Sequence, residues 1–576
     1  MTRELANRRD ELWKIRTTAE EIFEMIGPED VRLLREQHPG NLVTLFTQAV
    51  AQLCQIVHTP VPLYFDQALN CVRVLTRLLP FMLEAPNDTM VNHLCWSTDD
   101  EAAASEGAAK AAEDAPNGAD TSGAAGTSGK PSAEEAEQRE PLACLIIHAA
   151  LHLLFLPSFT VDISAFEDDG EEEAPGAAPG AIKHPGAMWA PGLAVHEDVM
   201  VRSVAFDNNR IEVLRLLLGA LCDPLYQSAE DFNPTKSRWL AVATALDVPN
   251  AELLFYSLMN ATLGFDPVGF GMPYGSAFAS EAPTQLMERS IQLLIVLLDY
   301  GAPAEPPGMQ QPAAADAETK AEAQPTAGVA TSATATQNVF RNLLARIDSP
   351  EDFDFIFSGL SRLLNNTHEA QSTVMPGALM QVECYAELLV LFWKLMEENP
   401  AFLPHVLEHC DVTKLLVPIL FLMYQSRRDP ARVGLVHICT FILLKLSGER
   451  AFCVLLNTPF EMRLPTDLPL FSGSHADLVV VVLHKMVVNG GDRLSPLYNC
   501  FLTIICNISP YCKSLSLVAS VKLVNLFELF TTPRFLYAAE SNHTYVSLLL
   551  EIFNNVVQYQ CVGRARERER ARARER

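Results

Sequence analysis

The 576-residue sequence has little positive charge. Its 43 lysines and arginines stand against 70 aspartates and glutamates, which gives a formal net charge of −27. Nucleic-acid phosphates and anionic lipids both repel a chain this acidic. We therefore expect no nucleic-acid partner that is recruited through the overall charge.

The sequence also lacks the apolar segments used for export and membrane insertion. The first residues, Met1 to Leu5, are polar and do not form the apolar core of a secretory signal. The longest apolar stretches, 415–424 and 433–444, are shorter than the roughly 18–20 residues that cross a bilayer. These features predict no transmembrane helix and leave peripheral contact as the way to meet a membrane.

Cysteines are sparse. Thirteen in a chain of this length are too dispersed for a disulfide framework. Most lie inside apolar runs, as do Cys71, Cys384, Cys439, Cys500 and Cys506. This distribution predicts reduced thiols in the core of a cytosolic protein.

Recognisable catalytic motifs are missing as well. The sequence contains no GxSxG, no Walker motif and no paired-carboxylate constellation. The segment Gly269 to Gly275 superficially resembles a phosphate-binding loop. However, it opens no helix with GK[ST], and Pro273 removes an amide donor that such a loop needs. We expect a non-enzyme with no cofactor, no metal and no small-molecule substrate.

Helical periodicity is abundant. Ala68, Val72, Leu75 and Leu79 fall on one helix face, as do the groups Leu388/Leu391/Leu395 and Leu523/Leu526/Leu529. Between residues 340 and 559, helices of about three to five turns alternate with short Pro or Gly breaks, without a βαβ rhythm. The sequence predicts an all-α protein, arranged as an α-solenoid of helix pairs of the HEAT or armadillo kind.

Helix boundaries are also readable. Gly301, Pro400 and the pair Gly490-Gly491 each predict the end of a helix. Ser474 and Asp477 have the spacing of a capping box, so we interpret Ser474-His475-Ala476-Asp477 as a helix start and not as a catalytic cluster. The β-branched run 479–482 is compatible with either a helix or a buried strand.

Three segments of biased composition interrupt the pattern. Residues 99–140 are rich in Ala, Gly and acidic residues, 167–198 in Pro, Gly and acidic residues, and 302–337 in Ala, Pro and Thr. Such segments bury too little apolar surface to order a backbone, so we predict that all three are disordered. The ordered parts are then 1–98, an N-terminal helical block; 141–166, a helical segment; 199–301, a second block; and 338–562, a C-terminal solenoid.

Two groups of histidines suggest metal chemistry. His405, Glu408 and His409 form an H-x-x-E-H pattern, in which two histidines share a helix face and the glutamate activates a metal-bound water. A zinc-dependent hydrolase is therefore an alternative function, although the sequence indicates no third ligand. Cys144, His148 and His152 also share a face, but in an apolar run, which favours buried, hydrogen-bonded histidines.

The last residues, 563–576, are an Arg-rich low-complexity tail. An RNA-associated protein that uses this tail is a second alternative. A low-complexity stretch without a binding role explains the same residues equally well.

Eight strings in the ordered blocks have a recognisable sequence. They lie at 68–80, 266–274, 387–395, 432–438, 446–450, 471–478, 509–516 and 553–560. These strings resemble the high-temperature-induced dauer-forming protein family, a distant relative of dymeclin. The resemblance covers the ordered blocks from about residue 11 to residue 560 and omits the three biased segments.

This resemblance implies a non-enzymatic cytoplasmic protein that associates peripherally with Golgi and trans-Golgi membranes. It further implies protein partners there and a role in sorting secretory or dense-core vesicle cargo. Myristoylated family members begin with Met-Gly, whereas Thr2 follows Met1 here. We therefore expect no N-terminal myristoyl anchor on this sequence.

The loop from Asp266 to Gly275 is the candidate interaction site. Its glycines permit positive φ angles, whereas its prolines restrict the backbone. Either a packed structural corner or a partner-binding edge fits this composition, and we favour the corner. The candidate residues are Asp266, Gly269, Phe270, Gly271, Pro273 and Tyr274.

Overall fold

The structure is a computed structural model that describes most of the chain outside the biased segments. The described residues are 18–85, 88–97, 140–162, 192–193, 203–228, 230, 232–233, 236–267, 281–301, 338–372, 379–462, 464–468 and 471–574. The predictions of disorder for 99–140, 167–198 and 302–337 therefore fall almost entirely outside the described residues and stay predictions.

The described residues are mostly helical and contain almost no strand, which confirms the all-α prediction. A single pair of two-residue strands, β1 (Pro459–Phe460) and β2 (Gly473–Ser474), is antiparallel, with Pro459 opposite Ser474. The helices are α1 (Ala19–Met25), α2 (Pro28–Gln37), α3 (Pro39–His58), α4 (Phe65–Leu83), α5 (Thr89–Trp96), α6 (Leu142–Leu153), α7 (Val204–Ala220), α8 (Arg238–Ala243), α9 (Ala251–Leu263), α10 (Ala282–Asp299), α11 (Val339–Ala345), α12 (Pro350–Ser372), α13 (Tyr385–Glu398), α14 (Phe402–His409), α15 (Thr413–Ser426), α16 (Val433–Ser447), α17 (Arg450–Leu455), α18 (His475–Asn489), α19 (Tyr498–Ile508), α20 (Leu517–Thr531), α21 (Pro533–Leu536) and α22 (His543–Arg574).

Local sequence signals fix several helix ends as predicted. Helices α10, α13 and α18 end within two residues of Gly301, Pro400 and Gly490, respectively. Helix α18 begins with the predicted capping box, in which the Ser474 amide donates to Asp477 Oδ2 over 2.7 Å. The ambiguous run 479–482 lies inside this helix, because all four valines are buried among apolar neighbours there.

The chain forms two compact units. The first comprises 1–258 and 292–343, and the second comprises 259–291 and 344–576. In the first unit, α4 packs against α2, α3 and α7, while α6 packs against α3, α5, α7 and α8. The predicted α4 face of Ala68, Val72, Leu75 and Leu79 is fully buried in this core.

The helices of the second unit contact one another in two rows. One row runs α12, α15, α18, α20, and the other runs α13, α16, α19, α22, with each helix contacting the next in its row. Cross-contacts join α12 to α13, α15 to α16, α18 to α19 and α20 to α22. This order is the one expected for stacked helix pairs, and the solenoid stays our interpretation of it.

The described cysteines are free thiols, as the sequence predicted. Cys71, Cys384, Cys439 and Cys506 are buried, whereas Cys500 is half-buried. Burial raises the pKa of Cys71 to about 12, so this thiol stays protonated at neutral pH.

Two helical segments are longer than the apolar stretches considered above. Pro39–His58 and Pro430–Ser447 have the length and composition of a helix that could cross a membrane, and 33% and 44% of their apolar stretches, respectively, are buried. These two properties alone do not show that a helix spans a membrane, so the prediction of no transmembrane helix stays a prediction. Core helices of folded domains share these properties, and both segments bury one face, with α3 packing on α4 and α6.

Candidate functional site

The predicted interaction loop lies largely outside the described residues. Of its candidate residues, only Asp266 is described; Gly269, Phe270, Gly271, Pro273 and Tyr274 are not. Asp266 is exposed at the end of the segment that follows α9. The choice between a structural corner and a partner-binding edge therefore stays a prediction.

The chain that leads into this loop is tightly fixed. The guanidinium of Arg362, on α12, donates to the carbonyl oxygens of Leu263 over 2.6 Å and Phe265 over 3.2 Å. The amide of Met380 donates to the carbonyl of Pro267 over 2.9 Å. These carbonyls have no hydrogen-bond partner within α9 itself. The bonds from Arg362 and Met380 therefore fix the chain at and just after the C-terminal end of this helix.

The H-x-x-E-H pattern contributes to a more complete cluster than the sequence indicated. His405 and His409 lie on α14 with their ring centroids 4.8 Å apart. Asp354, near the start of α12, accepts a 2.9 Å hydrogen bond from Nε2 of His405. Cys410 follows α14 directly, and its thiol donates to the same Oδ1 of Asp354 over 3.6 Å. An aspartate, a histidine and a cysteine thus converge at one point.

Sequence reasoning missed two members of this cluster. Asp354 precedes His405 by 51 residues, and only the packing of α12 against α14 brings them together. Cys410, by contrast, directly follows the H-x-x-E-H pattern, so the sequence alone could have indicated it as a further ligand. In the part of the chain that the structure describes, Asp354, His405 and Cys410 form the group whose ligand atoms could hold a metal ion, all within 4.8 Å of one another.

The electrostatics of the cluster follow from these contacts. The hydrogen bond from His405 lowers the pKa of Asp354 below its ordinary value. Burial, together with the negative charge of Asp354, raises the pKa of Cys410 to about 11. At neutral pH the group therefore consists of a carboxylate that accepts hydrogen bonds from an imidazole and from a protonated thiol.

Glu408 does not occupy the position of a hydrolytic base. Its side chain is 78% exposed, and its Oε2 lies 4.0 Å from Nε2 of His409. A base that activates a metal-bound water has to lie within hydrogen-bond reach of that water. The geometry of the cluster therefore gives no support to the zinc-hydrolase alternative in the form that uses Glu408.

The second histidine group departs from its prediction. His148 is half-buried and lies 3.3 Å from Glu140 Oε2, while His152 is exposed. The prediction of buried histidines was wrong, because α6 buries Ala143, Ile146 and Ile147 and turns the i, i+4 stripe with Cys144 away from the core. Among the described residues, Cys144, His148 and His152 do not bring three ligand atoms close enough together to hold a metal ion.

Exposed apolar side chains are concentrated on the last helices. Leu517, Val521 and Val524 form an i, i+4, i+7 stripe on α20, and Leu517 is 80% exposed. Leu550 and Val557, seven residues apart on α22, are also exposed. Leu529, which the periodicity assigned to the buried face of α20, is exposed instead. These stripes are available for contact with another apolar surface.

Helix α22 runs through the Arg-rich segment as far as Arg574. Its side chains from residue 560 onward lie outside the described residues. The RNA-binding alternative therefore gains no geometric support.

Comparison with known proteins identifies the family. The family described as High-temperature-induced dauer-formation protein, Hid1, matches residues 7–566. The chain belongs to the Hid1 family. Protein HID1 of Homo sapiens is 36% identical over 566 residues, which cover 96% of this chain and 65% of the human protein. The chain thus spans slightly less than two thirds of the length of this relative.

More distant relatives agree with this assignment. The Ubp5-interacting protein ftp105 of Schizosaccharomyces pombe is 24% identical over 95% of this chain and 62% of its own length. Dymeclin of Dictyostelium discoideum is 24% identical over 204 residues, which cover 34% of this chain and 21% of dymeclin. This match confirms the expected distant relation to dymeclin. No solved structure gives a significant match.

Proposed function

We propose that this Hid1-family protein is a non-enzymatic scaffold that acts at the cytoplasmic face of Golgi and trans-Golgi membranes. In this role it binds partner proteins and supports the sorting of secretory or dense-core vesicle cargo. The observation that carries the proposal is membership in the Hid1 family, whose match covers nearly the whole chain. The names of the relatives contain no enzyme activity.

Two further observations support a protein-binding role. One relative is named for an interaction with another protein, Ubp5. In this chain, the stripe of Leu517, Val521 and Val524 has the spacing with which helices pack on helices. The proposed occupant of this stripe is the apolar face of a helix in a partner protein.

Proximity labelling in cells tests the proposal. The full chain, fused to a labelling enzyme, should label proteins of the cytoplasmic Golgi surface and overlap with a Golgi marker. The variant Leu517→Gln/Val521→Gln/Val524→Gln should lose most of this labelling while its melting temperature stays unchanged, because all three side chains are exposed.

A matched control uses exposed apolar residues outside the stripe. Leu63, Leu225 and Leu246 are exposed to a similar degree, so Leu63→Gln/Leu225→Gln/Leu246→Gln removes the same chemistry elsewhere. It should label Golgi proteins like the original chain. Absence of Golgi labelling by the unmodified chain would refute the scaffold proposal, and equal loss in both variants would refute the role of the stripe.

A further inference from the structure

We propose that Asp354, His405 and Cys410 bind a zinc ion that ties α12 to α14. The relevant atoms are already near the required positions: Asp354 Oδ1 lies 2.9 Å from His405 Nε2 and 3.6 Å from Cys410 Sγ. Ligand atoms around tetrahedral zinc, with bonds of about 2.0–2.3 Å, lie roughly 3.3–3.8 Å apart. Small side-chain adjustments would therefore convert the hydrogen-bonded cluster into a coordination shell.

The donor set selects the class of metal. Imidazole nitrogen and thiolate sulfur suit zinc, whereas calcium and magnesium prefer sites made of oxygen alone. The carboxylate of Asp354 accepts hydrogen bonds from both His405 and Cys410. A zinc ion would take the place of these donors, because it binds the neutral imidazole nitrogen and the deprotonated sulfur.

The surroundings hold the ligands in place and admit the ion. The ring of His405 packs on Phe353 with centroids 5.3 Å apart, and its side chain is largely buried. The amide of Cys410 donates to the carbonyl of Val406 over 3.0 Å, which fixes the residue at the C-terminal end of α14. The carboxylate of Asp354 is 61% exposed, so an ion reaches the site directly from solvent.

The fourth position has a protein candidate in His409, one helical turn beyond His405. Four protein ligands are typical of structural zinc sites, whereas catalytic sites keep one position for water and a nearby base. The carboxylate of Glu408 is 78% exposed and lies 4.0 Å from His409 Nε2. No described contact joins it to Asp354, His405 or Cys410, so no base is positioned for hydrolysis and the site is structural. Its effect is to cross-link two helices that are distant in sequence.

Cobalt substitution tests this inference independently of the Golgi proposal. The purified full chain, stripped of metal with a chelator, is titrated with Co²⁺ and then with Zn²⁺. We expect one Co²⁺ per chain, a thiolate-to-cobalt charge-transfer band, and loss of that band when Zn²⁺ displaces the cobalt. Zinc should also raise the melting temperature, because it binds the folded state.

Substitutions at the proposed ligands test whether the charge-transfer band comes from this site. Cys410→Ser is nearly isosteric and should abolish the charge-transfer band and weaken zinc binding on the order of 100-fold, with His405→Ala weakening it similarly. Cys500→Ser, at another half-buried cysteine, should leave both unchanged. A chain without the band, or a Cys410→Ser protein that binds zinc as tightly as the Cys500→Ser control, would overturn the proposal. The circular dichroism of Cys410→Ser should match that of the control, which separates loss of a ligand from loss of folding.

Discussion

Two buried asparagines perform the same task at different places in the chain. The side-chain amide of Asn338 donates to the carbonyls of Leu297 and Tyr300, over 2.7 and 2.8 Å. That of Asn399 donates to the carbonyls of Leu344 and Ile347, over 2.9 and 2.8 Å. Each asparagine therefore pairs carbonyls at the end of an earlier helix that would otherwise lack a partner.

The same two asparagines also begin the helix that follows. The Oδ1 of Asn399 accepts from the amides of Ala401 and Phe402, both over 3.0 Å. The Oδ1 of Asn338 accepts from the amide of Phe340 in the same way, over 2.9 Å. One side chain thus satisfies donors and acceptors of two helices at once.

Replacement of Asn399 should be costly. Asn399→Ala leaves two buried carbonyls and the amide of Ala401 without their side-chain partner, so we expect a loss of about 2–4 kcal/mol. Urea unfolding should show a lower midpoint for the variant. Glu397→Ala, at an exposed position two residues earlier, serves as the control and should change stability by less than about 0.5 kcal/mol. Equal midpoints for the two variants would show that the Asn399 bonds contribute nothing net.

His484 should make the protein sensitive to acid. Its Nε2 lies 2.8 Å from Asn525 Oδ1, and the buried Nδ1 has no hydrogen-bond partner among the described residues. Burial, with smaller effects of Lys522 and Lys485, lowers the pKa of His484 below 6.5. Since the unfolded chain then binds the proton more readily, stability is fully present above about pH 6.5 and is lost as the pH falls toward the folded pKa.

The measurement compares unfolding at about pH 7.5 and about pH 5.5. The original chain should lose more stability between these values than His484→Gln, which cannot take up the proton. The comparison cancels the titration of carboxylates, which both proteins share. An identical loss in both proteins would mean that His484 does not contribute to the acid sensitivity.

The sequence predicts residue roles only where the partners are local. The capping box of Ser474 and Asp477 was readable, because its bonds join residues three positions apart. The bonds of Asn399 to Leu344 and of Asp354 to His405 were not readable, because these partners lie more than fifty residues away. Tertiary packing alone brings such pairs together.

At the scale of elements, close approach of two helices depends on a single glycine. Gly359 lies inside α12 against the last residue of α9. A Cβ atom at this position would lie 2.7 Å from the carbonyl oxygen and 2.8 Å from the Cβ of Leu263. Backbone cannot yield as a flexible side chain can, so the glycine sets how closely α12 approaches the end of α9.

Two glycine substitutions should have opposite effects. Gly359→Ala should lower stability by about 1–3 kcal/mol, because the methyl group forces α12 away from Leu263. Gly434→Ala, in the first turn of α16 with nothing within 4 Å of the added Cβ, should be neutral or stabilising by up to about 1 kcal/mol. Thermal melts of the two variants check this. Equal shifts in the same direction would contradict the packing argument.

Helix periodicity predicted the elements better than their exposed faces. The breaks at Gly301, Pro400 and Gly490 were correct, because they reflect backbone chemistry. The exposure of Leu529 and of His152 was not predicted. Whether a helix face is buried depends on the elements that pack against it. When a helix has apolar residues on more than one face, its packing against neighbouring elements decides which face is buried.

At the scale of the whole molecule, charge and apolar surface act against each other at a membrane. The net charge of −27 opposes approach to anionic lipid. The stripe of Leu517, Val521 and Val524 is narrow, and a few exposed aliphatic side chains supply only about 1.5–3 kcal/mol each on full burial. Direct lipid binding by such a surface is weak, so Golgi association in the proposed function depends on protein partners.

Flotation with liposomes distinguishes direct lipid binding from recruitment by protein partners. We expect the purified full chain to bind neutral and anionic vesicles weakly, and to bind anionic vesicles no better than neutral ones. Deletion of 563–576 isolates the Arg-rich tail, whose cations would favour anionic lipid if they acted independently of the rest of the chain. Tight flotation that survives this deletion would contradict recruitment by proteins. It would direct attention to Pro39–His58 and Pro430–Ser447, which among the described residues are long and apolar enough to enter a bilayer. Weak flotation in both proteins, with Golgi labelling intact in cells, is the combination that recruitment by a protein partner requires.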